Sequence, residues 1–164
     1  MSQQSNRPVD WEEFVTQQEN RLYRAALAIL AHPQEAEDAV QDAFVRYLEK
    51  APSHLENPGA WLMRVLVNGC KSRLRLKWRQ VLPLPDSLPV PGPEEGQEVV
   101  ELFSLPPKDR TVLHLFYYEG YSTREIAQIT GLSPGTVRSR LTRAREKLRK
   151  ALAEQTVSNS KKEN

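Results

Sequence analysis

Apolar residues recur at intervals of three and four along most of this chain, the spacing of helices with one buried face. Trp11, Phe14, Val15, Leu22, Ala26 and Ile29 mark the first such face. Asp10 can cap that helix, with Glu13 answering three residues on, and the pattern holds to about Leu30. His32-Pro33 breaks it and starts a second helix, Gln34 to Lys50, buried through Ala36, Ala39, Val40, Ala43, Phe44, Tyr47 and Leu48. A loop, Ala51 to Glu56, contains Pro52. Asn57-Pro58, a cap followed by a first-position proline, then opens a third helix that runs to about Gln80. Trp61, Leu62, Val65, Leu66 and Leu74 face its core. Glycine is sparse and strand-like alternation nearly absent, so the expected fold is all-α.

Val81 to Gln97 carries Pro83, Pro85, Pro89, Pro91 and Pro93, which forbid a helix and favour an extended linker. Beyond it the pattern predicts a short helix over Glu98 to Ser104 and a break at Leu105-Pro106-Pro107. A helix over Lys108 to Glu119 follows, with Val112, Leu113, Leu115, Phe116 and Tyr117 inward and His114 at the surface or boundary. Two helical domains are therefore expected, residues 9–80 and 98–153. The flanking stretches 1–8 and 154–164 are polar and expected to be disordered.

Gly120 to Leu152 carries the densest set of signals. Ser122 and Glu125 form a capping box, Ile126, Ala127 and Ile129 supply a narrow apolar face, and Gly131 can end the helix in the left-handed conformation. Leu132 plugs the turn, and Ser133 with Pro134 starts a longer helix whose buried stripe is Val137, Leu141, Ala144, Leu148 and Leu152. This is a helix-turn-helix. Thr136, Ser139, Thr142, Arg143, Glu146, Lys147 and Lys150 point away from the stripe, flanked by Arg138, Arg140, Arg145 and Arg149. Such a face suits the DNA major groove, where short polar groups and Arg reach base edges and flanking cations meet phosphates. A charge run alone would favour a solvated helix; the capped turn, the small Ala and the Gly, all in register, reverse that preference toward the groove.

Two other faces stay open on spacing alone. Glu35, Glu37, Asp38 and Asp42 crowd the start of the second helix, where they either complement its dipole or dock a basic protein. Arg64, Lys71, Arg73, Arg75, Lys77 and Arg79 ladder the third helix beside Trp78, either solvated or tracking a single strand. Gly69 interrupts this helix at about 1 kcal/mol relative to Ala, with no evident reason. Cys70 reads as a small core residue rather than a nucleophile.

Net charge is only +2, from 23 basic and 21 acidic residues, but acids gather early and bases in the two basic helices. That segregation suggests one surface for nucleic acid and another for a protein. One cysteine and three scattered histidines argue against a disulfide framework or a metal site. No phosphate loop or nucleophile arrangement points to an enzyme, and no cofactor is expected. The start lacks a signal-peptide core and the longest apolar run, Ala25 to Ala31, is far too short to span a bilayer, so a cytoplasmic protein without membrane insertion is expected.

LPPKDRTVLHLFYYEGYSTREIAQITGLSPGTVRSRLTRAREKLRKAL resembles the fourth conserved region of bacterial RNA polymerase sigma factors of the extracytoplasmic-function (ECF) group. AEDAVQDAFVRYLEK and PGAWLMRVLVNGCKSRLR resemble the second conserved region of the same group, in the same order and spacing. The resemblance implies a protein that binds core RNA polymerase, directs it to promoters and helps melt the duplex. It implies that Glu37, Asp38, Gln41 and Asp42 meet the clamp helices of the largest polymerase subunit, and that the second domain meets the flap of the second-largest. His54, Asn57, Arg64, Asn68, Lys71 and Arg75 would hold the non-template strand of the −10 element, with a flipped base read in the loop before the third helix. Ser133, Thr136, Arg138, Ser139, Thr142 and Arg143 would read the −35 element. An anti-sigma factor is a further partner implied by family habit.

Two positions depart from the family pattern: Thr142 stands where a bulky residue is common, and Ser72 where an Asp is common. An activator of the response-regulator type shares the helix-turn-helix, but residues 1–80 lack the strand pattern of a receiver domain. An adaptor that binds polymerase without reading DNA would not need the basic, capped helix.

Overall fold

The computed structural model describes residues 10–80 and 102–162, with side chains described as far as Leu76 in the third helix and Glu154 in the last. Among the described residues every regular element is helical. Helices α1 (Trp11–Leu30), α2 (Pro33–Lys50) and α3 (Pro58–Gln80) form the first unit. The Asp10 carboxylate accepts from the Glu13 N–H at 3.0 Å, which starts α1 as its cap predicts. The break after α1 falls on Ala31, in the left-handed conformation at φ 54°. His32 then caps α2, its Nδ1 accepting from the Glu35 N–H at 3.4 Å. Asn57 Oδ1 accepts from the Ala60 N–H at 3.0 Å and caps α3.

Ala36, Ala39 and Ala43 give α2 a smooth buried side against Leu22, Ile29, Leu62 and Leu66. Trp11, Phe14, Phe44, Tyr47 and Trp61 close one end of the bundle, with ring centroids 5.3 to 6.1 Å apart. Such offset and edge-on aromatic packing adds about 0.5–1.5 kcal/mol per pair beyond area burial. Leu48, expected inside, is 37% exposed. Met63 and Val67 were not on the expected stripe, yet neither is exposed at all, while Cys70 is buried as expected. The reason is that α3 packs on three sides, against α1, α2 and a helix of the second unit.

The second unit holds α4 (Pro107–Leu113), α5 (Thr123–Thr130) and α6 (Pro134–Lys162). Leu102 and Leu105 pack beneath α4; the remainder of the short helix expected at 98–104 lies mostly outside the described residues, as do the 81–97 linker and residues 1–8. The expected single helix to Glu119 does not persist. After Leu113 the chain widens into a π turn, His114–Tyr118, closed by the Glu119 N–H donating to the His114 carbonyl at 3.1 Å. The inserted residue rotates the face. His114, expected at the surface, is buried, and Tyr117, expected inside, is 54% exposed. Gly120, at φ 73°, then turns the chain into the helix-turn-helix.

Helix α6 is also longer than expected. Its apolar stripe fades at Leu152, but the backbone stays helical through Lys162 where a disordered tail was expected from 154. The two units do not sit apart: α3 packs on α5, and α1 packs on α4. No helix among the described residues is long and apolar enough to cross a membrane.

Candidate nucleic-acid interface

The helix-turn-helix forms as its local chemistry dictates. Ser122 Oγ accepts from the Glu125 N–H at 3.1 Å while Glu125 Oε1 accepts from the Ser122 N–H at 3.0 Å. Gly131 ends α5 at φ 77°, a conformation that strains any side chain. Ser133 Oγ accepts from the Thr136 N–H at 3.2 Å and starts α6. Val137, Leu141 and Ala144 are buried against α5 and α4.

This leaves Ser133, Arg138, Ser139, Thr142 and Arg143 exposed on one side of α6, with Thr136 half-buried among them. Their polar groups fold back on the helix. Thr142 Oγ1 donates to the Arg138 carbonyl at 3.0 Å, and the Thr136 and Ser133 hydroxyls lie 2.8 Å apart. Arg143 Nε reaches its own Ser139 carbonyl at 3.4 Å, a weak contact that leaves it available. The face offers hydroxyl and guanidinium donors and no carboxylate before Glu146.

On α3, Arg64, Asn68, Lys71 and Arg75 share a stripe, since they are four, three and four residues apart. Arg64, Asn68 and Arg75 are exposed, as are His54 and Asn57 in the loop at the start of α3. Asn57 Oδ1 is committed to capping α3. Lys71 differs. It is half-buried, and its ammonium donates to the Thr130 carbonyl at the end of α5. Burial first, and the charges of Arg140, Arg75 and Lys108 after it, pull its pKa down. The basic ladder is also interrupted at Arg73, which pairs with Asp42 of α2 at 2.6 Å.

The acidic face of α2 splits in two. Glu37 and Gln41 line a shallow groove with Glu19, Asn20 and Tyr23 of α1. Asp42 lines a larger groove of about 620 Å³ between α2 and α3, with Val45, Arg46 and Asn68. Asp38 lies between the two sides and accepts from Gln34 Nε2 at 3.2 Å. Gly69 lines the larger groove, and a Cβ there would meet nothing within 4 Å. Cys70 is fully buried, and burial pushes its thiol up to about 12, as a core residue rather than a nucleophile.

Comparison with known proteins decides the family. Family models described as Sigma-70 region 2 and Sigma-70, region 4 match residues 14–80 and 102–148. The ECF RNA polymerase sigma factor SigM of Mycobacterium tuberculosis is 31% identical over 150 residues, covering 87% of this chain and 76% of the relative. The chain belongs to the ECF sigma factors.

Other members match over similar spans. SigE of Mycolicibacterium smegmatis is 34% identical across 87% of this chain, which spans 62% of that relative's length. The RNA polymerase sigma-E factor of Streptomyces avermitilis is 32% identical, with 88% and 86% of the two chains covered. The Bartonella quintana sigma factor RpoE, solved in complex with the anti-sigma factor NepR, superposes with a TM-score of 0.77 at 26% identity, over 88% of this chain and 97% of that one. CnrH, solved with the cytosolic domain of CnrY, superposes at 0.60, with 25% identity and 87% of each chain covered.

This sigma factor also carries contacts that its sequence pattern does not announce. Arg21 Nε donates to Glu119 Oε2 at 2.8 Å and Nη2 to Tyr121 Oη at 3.0 Å, from the first unit to the second. Arg110, 6% exposed, donates to the Ala28, Ile29 and Leu105 carbonyls at 2.6, 2.8 and 2.5 Å. Burial pulls its pKa down to about 10. One signal for Arg110 was available: it lies three residues before Leu113, so a cation sits on the apolar stripe of α4.

Proposed function

We propose that this ECF sigma factor binds core RNA polymerase and directs initiation at promoters carrying −10 and −35 elements. The observation that carries the reading is an exposed donor face, without a carboxylate before Glu146, on a capped helix-turn-helix, in a chain whose other unit presents a second basic stripe. Residues 9–80 form the unit for polymerase and the −10 element, and residues 98–153 the unit for the −35 element, joined by the linker at 81–97.

Arg138, Ser139, Thr142 and Arg143 enter the major groove, with Ser133 and Thr136 at the phosphates beside the start of α6. His54, Asn57, Arg64, Asn68, Lys71 and Arg75 line the path of the −10 non-template strand. Their cations follow phosphates, and the loop before α3 accepts an unstacked base. Glu37, Asp38, Gln41 and Asp42 meet the clamp helices of the largest polymerase subunit. The second unit meets the flap of the second-largest. None of these residues performs covalent chemistry; bond formation belongs to the polymerase.

Run-off transcription with purified core polymerase on a fragment library tests the proposal. New start sites that depend on this chain support it, and their absence overturns it. An anti-sigma partner belongs to the same reading, supported by the structural relative RpoE, solved in complex with the anti-sigma factor NepR. A stoichiometric inhibitor recovered with the tagged chain from cells supports it.

A further inference from the structure

Several polar side chains on the groove-facing side of α6 are already bonded to the helix, and what each has left to offer differs. A hydroxyl has one proton to donate. Thr142 Oγ1 gives its proton to the Arg138 carbonyl, 3.0 Å away and one turn back. That bond lays the oxygen against the backbone of the preceding turn. Oγ1 and the methyl share one Cβ in staggered positions, so the methyl takes the outward direction. Thr142 is exposed. Among the six residues assigned to this face it is the exposed one that carries a methyl group. Thr136, the other threonine, is half-buried, with its hydroxyl 2.8 Å from that of Ser133.

The guanidiniums on either side leave this methyl uncovered. Arg138 folds back toward the start of α6, where a Cβ built on Gly135 would lie 3.9 Å from its Nη2. Arg143 turns its Nε toward the Ser139 carbonyl, and its two Nη groups remain to donate. Glu146, the first carboxylate of the helix, stands one turn farther on. The face therefore carries one small apolar spot between two forks of donors.

We infer that Thr142 is a specificity-determining residue that reads a thymine of the −35 element through its methyl group rather than through a hydrogen bond. The inference rests on the promoter-binding reading and names one base contact within it. In the major groove thymine alone carries a C5 methyl, while guanine offers O6 and N7 to a guanidinium. Two methyl groups in contact remove each other from water. A purine at the same place would set a polar edge against the Thr142 methyl, and that edge would lose its water without gaining a partner. Thr142 and Arg138 lie ~6 Å apart along α6 at 1.5 Å per residue, or about two base-pair steps of 3.4 Å. The thymine therefore falls within about two pairs of the base that Arg138 meets.

The rival contact runs through the Thr142 oxygen, whose lone pairs can still accept after its proton is given away. An acceptor selects the amino groups of adenine or cytosine, whereas a methyl selects thymine. Uracil separates the two, because an A·U pair keeps every hydrogen-bonding group of A·T and lacks only the methyl.

Holoenzyme assembled from the full-length chain and core polymerase, selecting among duplexes randomised over the −35 region, tests this. Wild type should prefer thymine at one position where Thr142→Ser shows no preference. Uracil at that position should lower wild-type binding about fourfold, the scale of one buried methyl. With Thr142→Ser the same replacement should change nothing. Thr142→Val, which keeps a methyl and has no hydroxyl, should favour thymine over uracil as wild type does. 5-Methylcytosine there should bind wild type more tightly than cytosine.

Equal wild-type binding of thymine and uracil, or a uracil effect that persists in Thr142→Ser, would overturn the methyl contact. Loss of the preference in Thr142→Val with its retention in Thr142→Ser would overturn it too, and would assign the contact to the hydroxyl. A −35 element selected equally by wild type and every Thr142 variant would sink this contact and leave the promoter reading standing. If wild type selects no −35 sequence at all, the promoter reading itself fails and the contact falls with it.

Discussion

Lys147 Nζ donates to Asp109 Oδ2 across 2.8 Å, tying the middle of α6 to the first turn of α4. Asp109 is buried, and as the acid of that first turn it also complements the α4 dipole. Lys147 is half exposed, so solvent weakens its share. Asp109→Ala should therefore lower the stability of the second unit by about 1–2 kcal/mol, and Lys147→Ala by less than about 1 kcal/mol. Thermal unfolding of the two variants checks the order; equal losses would mean that the pair alone, and not the dipole, accounts for the acid.

Arg143 makes only a weak contact with its own helix, so removing it leaves the fold unchanged. Arg143→Ala should weaken promoter binding by about 1–3 kcal/mol and relax discrimination at one −35 position, as expected for loss of an Arg–base contact. Promoter libraries read with wild type and variant measure this. An unchanged preference would remove Arg143 from the groove.

The acidic face of α2 can be dissected because its residues have different neighbours. Glu37 and Gln41 line a groove with α1 and no basic residue, whereas Asp42 pairs with Arg73 at 2.6 Å. Glu37→Lys should weaken co-purification with core polymerase while leaving the melting temperature in place. Asp42→Lys should weaken it too, and also lower stability by up to about 1 kcal/mol, since the pair with Arg73 is lost and becomes a repulsion. Undiminished co-purification of the Glu37 variant would detach polymerase binding from this face.

Burial pushes the Glu119 carboxyl up, but the His114 ring 3.5 Å away and the Arg21 guanidinium together outweigh it and hold it below the ordinary 4.5. A carboxyl whose pKa is lower folded than unfolded stabilises the fold above its unfolded value and loses that contribution as pH falls through the folded one. The contribution is therefore complete above about pH 5 and declines below about 4.5. Unfolding midpoints followed from pH 7 into this acid range should fall more steeply for wild type than for Glu119→Gln. Parallel curves would show that Glu119 gains nothing from its partners.

With its thiol pushed up to about 12 and no exposed surface, Cys70 should resist alkylation at pH 8. Its thiolate fraction there is about one in ten thousand. Iodoacetamide should label the chain only after unfolding in guanidinium; rapid labelling of the native protein would mean that α3 opens from the core.

Element extents were largely legible along the chain because they rest on local causes. Asp10, Asn57, Ser122 and Ser133 each cap a helix start through a backbone N–H three residues on, and Gly131 takes the positive φ that ends α5. The exposed face of α6 follows from the same period that buries Val137, Leu141 and Ala144. The misses have physical reasons too. A π turn adds one residue without any sequence signature, so it moved His114 inward and Tyr117 outward. Met63 and Val67 fall off the expected stripe because α5, from the other unit, covers a side of α3 that a free-standing three-helix unit would leave in water.

What the amino-acid order determined by itself is therefore the set of helices, their caps and the chemistry each face displays, since those depend on residues three or four apart. Where Lys71 and Arg110 direct their charge was decided only in three dimensions. An open carbonyl at the end of α1 or α5 accepts a hydrogen bond from water or from any cation within reach, and nothing in its neighbours along the chain names the donor. Only the packing of α3 on α5 and of α1 on α4 brings those donors close.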